Sequence, residues 1–305
     1  MRLQVLLPAH NESGNILPIH EEITKALDGK GYAYQILFVD DGSTDDTLDR
    51  IKSLASSDPN VKYIELSRNF GHQNAIKAGL DQTHAEVLIM MDCDLQHPPT
   101  LIREMLDWHE KGYDIVRTRR KASEHEGLLK KTTSRWFYRL LNKISEIRLE
   151  EGSADFRLIS GHAIHTLKSF GELDLFYRGL IKWMGFRQVS IEYDPAPRLA
   201  GETKYSVRKM LGFGIKGFTS FSTKPLYLSA YLGVSFALLS ALYLPYVLWA
   251  WFNGHTVDGW TSLIVTIVFF GGLQLMILGI IGIYIGKIFQ QSKNRPHYII
   301  KESNL

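Results

Sequence analysis

The sequence predicts an α/β domain, a mostly parallel sheet with helices on both faces, followed by an apolar helical anchor. Two observations carry this. Short, near-continuous apolar runs (Leu3 to Leu7, Gln35 to Val39, Val61 to Leu66, Val87 to Met91, Asp114 to Val116) alternate with helix-length amphipathic stretches, as parallel strands buried on both faces do. The chain has 305 residues with 35 basic and 32 acidic side chains, yet only Asp258 is charged between Pro225 and Gly286. A charged globular part therefore precedes a block composed like a membrane segment. These features exclude a disordered chain and a freely soluble enzyme; the single cysteine, Cys93, excludes a disulfide scaffold and fits a reducing compartment. A net charge of +3 makes no case for a nucleic-acid partner.

In a sheet of this kind ligands bind beyond the carboxyl ends of the strands, so the strand exits are where chemistry is expected. The first strand runs into Pro8-Ala9-His10-Asn11-Glu12 and the second into Asp40-Asp41-Gly42-Ser43-Thr44-Asp45. Ser43 or Thr44 is placed to cap the next helix, with Asp45 and Asp46 at its positive end. Asp40 and Asp41 repel each other unless something donates to them, and a ribose hydroxyl pair with a base N–H would do so. No glycine-rich dinucleotide or P-loop motif is present.

The fourth strand exits into Asp92-Cys93-Asp94-Leu95-Gln96-His97-Pro98-Pro99. Alternation along extended chain points Asp92 and Asp94 the same way, and Gln96 adds a neutral oxygen, a hard ligand set for Mg²⁺ or Mn²⁺ bridging a diphosphate. Pro98 and Pro99 are suited to starting a helix, and Cys93 reads as a small residue facing the interior. Between Arg117 and Lys143 nine basic residues face two acidic ones, a pattern for anionic headgroups or a phosphorylated substrate. Glu150 to Arg157 reads as a polar turn with Asp155 beside a guanidinium. Arg198-Leu-Ala-Gly201-Glu-Thr203-Lys204-Tyr205 offers three donors on a glycine-containing loop, suited to phosphate oxygens.

Val207, Met210, Leu211, Gly214, Ile215, Phe218 and Phe221 recur at helical spacing with Arg208, Lys209 and Lys216 on another side, which predicts an interfacial helix over 206–224. Two apolar runs, 225–252 and 260–286, are each long enough to cross a bilayer, with a polar turn at 253–259 between them. Lys216 and Lys224 precede this pair and Lys287, Lys293, Arg295 and Lys301 follow it, while the turn has no basic residue. The positive-inside rule then keeps both termini and the 1–205 domain cytoplasmic, with 287–305 as a cytosolic tail. The amino terminus has an apolar run too short for a signal-peptide core. The expectation is an integral protein of the plasma (inner) membrane.

Taken together, Pro8 to Glu12, Asp40-Asp41-Gly-Ser, Asp92-Cys-Asp94-Leu-Gln96-His-Pro-Pro, Asp155-Phe-Arg157, Arg198 to Tyr205 and the hairpin resemble family 2 glycosyltransferases acting on polyprenyl phosphates. Within that group the chain is most similar to the bactoprenol glucosyltransferases, on the Asp155-Phe156-Arg157 segment, the two apolar helices, Thr219 to Pro225 and the Arg295-Pro-x-Tyr-x-Ile tail. It is also related to the dolichyl-phosphate mannose synthases. The resemblance implies a GT-A nucleotide-sugar-binding domain in which Pro8, Glu12, Asp40, Asp41 and Asp92 serve the nucleotide. Asp92, Asp94 and Gln96 would hold the metal, Asp94 and Asp155 would be catalytic, and Arg119, Lys131, Ser134, Arg198 and Lys204 would hold the acceptor phosphate. Arg117-Thr118-Arg119 departs from the more usual Gly-Ser-Arg.

The implied reaction is inverting transfer of a sugar, glucose from UDP-glucose being the leading expectation, to undecaprenyl phosphate at the cytosolic face. GDP-mannose is the alternative donor. A processive polysaccharide synthase is disfavoured because Thr132-Thr-Ser-Arg135-Trp136 lacks the glutamine of Q-x-x-R-W. A non-catalytic sugar-nucleotide sensor is disfavoured by the intact acidic ligands. Partners are a nucleotide sugar, polyprenyl phosphate and the bilayer, with a homo-oligomer left open.

Overall fold

The computed structural model describes residues 2–29, 31–121, 153–172, 175–194, 224–253 and 259–305. Two compact units result, one drawn from 1–142, 147–207 and 295–305, the other from 143–146 and 208–294.

In the first unit, β1 (Arg2–Ala9), β2 (Ala33–Asp40), β3 (Val61–Leu66) and β4 (Val87–Met90) lie where the apolar runs predict strands. They alternate with α1 (Ile16–Leu27), α2 (Thr47–Ser57) and α3 (His72–Gln82), and α4 (Leu101–Glu110) follows β4. β5 (Ile115–Arg120) extends the short run at Asp114 to Val116 by four residues. The helices form because their apolar residues share a face: in α1, Ile16, Ile19, Ile23, Ala26 and Leu27 are buried. Of these, Ile16, Ile19, Ile23 and Leu27 join the odd-numbered residues of β1 and Val87 and Ile89 of β4 in one core. Each buried Ile or Leu there contributes about 1.5–3 kcal/mol. On the opposite face α3 approaches closely because Gly79 has no Cβ; one added there would lie 2.1 Å from Leu6 Cδ1.

The sheet order is β7-β5-β6-β4-β1-β2-β3-β8. β1, β2, β3 and β4 are parallel, as are β5 and β7 (Gln188–Tyr193), so the mostly parallel expectation holds for this core. Two strands run against their neighbours. β6 (Ser153–Ser160) is antiparallel to β4 and β5, and β8 (Ile300–Ser303) is antiparallel to β3. β6 corrects the reading of Glu150 to Arg157 as a polar turn: its Asp155 and Arg157 satisfy each other on one face, while Phe156 and Leu158 enter the core on the other. β8 alters the reading of 287–305 as a tail, because residues 295–305 return to the sheet. Between β6 and β7 lie α5 (Gly161–Lys168) and α6 (Tyr177–Trp183).

The second unit holds α7 (Lys224–Phe252) and α8 (Trp260–Ser292), over the two ranges where the sequence places apolar helices. Phe236 of α7 meets Phe269 and Phe270 of α8 edge to face, with ring centroids 5.9 and 5.5 Å apart. Among the described residues one helical segment, Phe269–Ser292, is long and apolar enough to cross a membrane, and its most apolar stretch has no buried residue. The predicted interfacial helix, 206–224, lies outside the described residues except for Lys224, and so does most of the 253–259 turn.

Candidate active site

The parallel direction of β1, β2, β3 and β4 brings the turns after Ala9, Asp40, Leu66 and Met90 to one edge. Because β6 runs the other way, its beginning reaches that same edge, in the register Arg157 to Met90. This is what sets Asp155 near Asp92, although 63 residues separate them in the chain.

Beyond β4 the chain turns, so the alternation argument for Asp92 and Asp94 does not apply, yet the juxtaposition it predicted is present. Carboxylate oxygens of Asp92 and Asp94 and a ring nitrogen of His97 lie within 4.8 Å of one another. The turn is held by the Gln96 N–H donating to Asp94 Oδ1 at 3.2 Å and by Leu95 at φ 57°, a left-handed conformation that costs a leucine roughly 1–2 kcal/mol. Gln96 is buried; what the structure records for it is this backbone contact. His97, unassigned by the sequence, is fully buried and stacks on Phe156 at 5.5 Å. Burial, and then the charge of Arg120, lower its pKa to about 3, so the ring is neutral. Its Nδ1 accepts the Asp92 N–H at 3.4 Å, which makes His97 a support for Asp92 more than a donor to a cation. Cys93 faces inward as expected, with Sγ donating to the Pro8 carbonyl at 3.3 Å.

Asp92 Oδ1 has no hydrogen-bond partner among the described residues, and His72 Nε2, at the start of α3, stands 3.4 Å away. Burial raises the Asp92 pKa to about 6, and the carboxylates of Asp155 and Asp94 push in the same direction. Asp92 and Asp94, close together at one edge, form a site suited to positive charge. A divalent cation fits this donor set: two hard carboxylates, one with an unsatisfied oxygen, match the oxygen preference of Mg²⁺ and Mn²⁺.

Asp155 carries the most organised charge. Arg178 of α6 grips it with both ends of the guanidinium, Nε to Oδ1 at 3.0 Å and a terminal nitrogen to Oδ2 at 2.8 Å, and Arg157 donates to Oδ1 as well. Burial alone would raise this carboxyl, but the two guanidiniums hold it well below the usual carboxylate range. Arg157 is buried; desolvation lowers its pKa to about 10 and it remains a cation. Arg178 escaped the sequence reading because a lone arginine on a seven-residue helix has no motif around it.

The first two strand exits are laced together. Asn11, at φ 57°, accepts the Thr44 N–H at 2.8 Å and its own N–H donates to Ser43 Oγ at 3.0 Å. Asp45, expected near the start of α2, accepts the Thr47 N–H there at 3.0 Å. Pro8 is buried in β1, and Glu12 accepts from Asn15 Nδ2. Asp41 finds its donors within the chain, the N–H groups of Phe70 at 2.7 Å and Gly71 at 2.9 Å. Asp40 accepts from the Ser43 N–H at 3.1 Å, while its buried Oδ1 has no partner among the described residues. Of the adjacent carboxylates, Asp40 is thus the one with an acceptor still to satisfy.

Arg119 is exposed near the end of β5, paired in register with Ser153 of β6, and lies 3.8 Å from Glu192. Its neighbour Arg120 bonds to Tyr193 Oη at 3.1 Å and is the cation His97 senses most. Lys131, Ser134, Arg198 and Lys204 lie outside the described residues.

Residues 4–166 match the family described as glycosyl transferase family 2. The chain is 40% identical, over 99% of its length and 92% of the relative's, to a putative glycosyltransferase CsbB of Bacillus subtilis. It is 38% identical, over 100% of its length and 99% of the relative's, to the SfII prophage-derived bactoprenol glucosyl transferase of Shigella flexneri. The chain belongs to glycosyl transferase family 2.

Proposed function

We propose that this enzyme transfers a sugar from a nucleoside diphosphate sugar, UDP-glucose foremost, to polyprenyl phosphate at the membrane surface, with inversion at the anomeric carbon. The observation that carries this reading is the meeting at one edge of the Asp92–Asp94 pair and an Asp155 clamped by two arginines. The full-length likeness to a bactoprenol glucosyl transferase supports the acceptor.

Asp40, whose buried Oδ1 is unpartnered among the described residues, stands with Pro8 and Glu12 at the nucleoside end, and Asp41 shapes it by anchoring Phe70 and Gly71. Asp92 and Asp94 would hold Mg²⁺ or Mn²⁺, which when bound neutralises charge on the departing diphosphate. A phosphate oxygen of the acceptor attacks the anomeric carbon as the nucleoside diphosphate leaves. A phosphate monoester, with a second pKa of about 6, is largely dianionic at neutral pH and needs no strong base. Asp155, ionised and held on both oxygens, is poorly suited to take a proton. Its role here is to fix Arg178, a half-exposed cation able to hold the acceptor phosphate in line. Lys131, Ser134, Arg198 and Lys204 are further candidates for that phosphate.

The membrane arrangement we propose is a hairpin, 225–252 and 260–286, with the 1–205 domain and both termini cytoplasmic and 206–224 along the interface. Connectivity supports it. The chain departs from the sheet after β7 and returns to it as β8, so the segment between crosses the bilayer an even number of times. One crossing by α8 then requires another by α7. An isoprenoid acceptor stays in the bilayer, so the catalytic edge must meet the membrane surface.

Purified full-length protein, incubated with a panel of nucleotide sugars and undecaprenyl phosphate and read by mass spectrometry, tests the reading. A lipid-phosphate hexose from UDP-glucose is expected; sugar transfer to water or protein alone would overturn it.

A further inference from the structure

The Arg295-Pro-x-Tyr-x-Ile segment has no part in the reaction as derived so far, yet it is tied to both ends of one catalytic unit. β8 pairs with β3 along Ile64 to Leu66, and the Ser67 N–H donates to the Ile299 carbonyl at 2.9 Å. The chain then enters the turn whose Phe70 and Gly71 hold Asp41, and continues into α3, whose first residue, His72, stands beside Asp92. At the far end of α3, Tyr298 Oη donates to Asp81 Oδ2 at 3.1 Å. Asp81 Oδ1 accepts from Lys77, a buried cation that also donates to the Lys168 carbonyl at 3.0 Å. Lys168 in turn caps the end of α3 through the carbonyls of Asp81 at 3.1 Å and Thr83 at 2.6 Å. The buried Tyr177, which precedes Arg178, lies close enough to feel the charge of Asp81 and the Tyr298 hydroxyl.

An edge strand needs none of these contacts to α3 in order to pair. Their effect is to fix the helix against its own strand, which sets the His72 and Phe70–Gly71 ends of the site. We infer that residues 295–305 are a brace for the β3–α3 unit, and that Tyr298 is a positioning residue for nucleotide-sugar binding through its hydroxyl on Asp81. This rests on the donor reading above for its ligand, but not on the identity of the acceptor.

The test is Tyr298→Phe, which keeps the ring and removes the hydroxyl, alongside Asp81→Asn and the double variant, all in the full-length protein. UDP with Mn²⁺ is titrated calorimetrically without acceptor lipid, unfolding midpoints are recorded, and KM is measured for UDP-glucose and undecaprenyl phosphate. Tyr298→Phe is expected to weaken UDP binding and raise the UDP-glucose KM about five-fold, the equivalent of one hydrogen bond at ~1 kcal/mol, with the lipid KM within about two-fold. The double variant should be no worse than Asp81→Asn. Faster hydrogen exchange at the amides of Arg68 to Asn74 is expected in Tyr298→Phe. Unchanged UDP affinity per folded molecule, or unchanged exchange in that turn, overturns the inference. A wild-type protein that binds UDP but does not glycosylate the lipid would instead overturn the acceptor reading and leave this one standing.

Discussion

At the residue scale the site depends on charges that are unfavourable alone. Asp94→Ala removes one of the two carboxylates suited to the cation, so turnover should fall on the order of a thousand-fold, measured as initial rate at saturating UDP-glucose. Asp155→Asn separates two roles. If Asp155 took the acceptor proton, kcat would fall with the rate limited by an ionisation in its pH profile; as the anchor of Arg178, its loss should raise the lipid KM by ten-fold or more on the order of a broken charged contact, with UDP affinity kept. Its depressed pKa also has a stability signature. The carboxylate contributes stability above its unfolded pKa of about 3.8, and that contribution is lost as pH falls through its lower native value. Wild type should therefore lose more stability than Asp155→Asn on acidification below about pH 4, read by urea unfolding; equal losses would deny the clamp.

The acidic residues that gather at the strand exits were legible in the sequence because they sit in compact motifs directly after apolar strands. Arg178 was not, because its meaning comes from the antiparallel course of β6, which brings Asp155 to it.

At the element scale the parallel core was readable from continuous apolar runs, since strands buried on both faces leave that trace. β6 was hidden by its own charge pair, and β8 is a short edge strand with the exposed residues Lys301, Glu302 and Ser303, whose pairing depends on partners far away in sequence. Ion pairs from Lys52 to Glu302 at 2.7 Å and from Lys301 to Glu65, with Tyr63 Oη on Glu302 at 2.6 Å, explain why this polar strand stays at the edge. Turn geometry is equally demanding at Gly42. It has φ 63°, and a Cβ there would lie 2.5 Å from the Arg68 backbone. Gly42→Ala should cost roughly 2 kcal/mol or more in denaturant unfolding and weaken nucleotide binding; a neutral substitution would mean the two strand exits are not in contact.

At the scale of the whole molecule, one unit carries the chemistry and the other the apolar helices, joined by a chain that starts and finishes in the same sheet. The proposed hairpin is open to cysteine labelling, because the native Cys93 is buried. With a membrane-impermeant maleimide on intact cells, Asn253→Cys should react and Leu305→Cys should react only after permeabilisation. Labelling of both from outside would refute the topology. The nearly charge-free block was legible as a membrane-associated element from composition alone, whereas the return of residues 295–305 to the sheet was not, since nothing local in that segment names its partner.

The most direct measurement is the rate of glucose transfer to undecaprenyl phosphate by the purified protein as divalent cations are removed with EDTA and then restored. Transfer should fall to background and return with Mg²⁺ or Mn²⁺ in wild type, and should not return in Asp94→Ala. Undiminished transfer in EDTA would contradict the account.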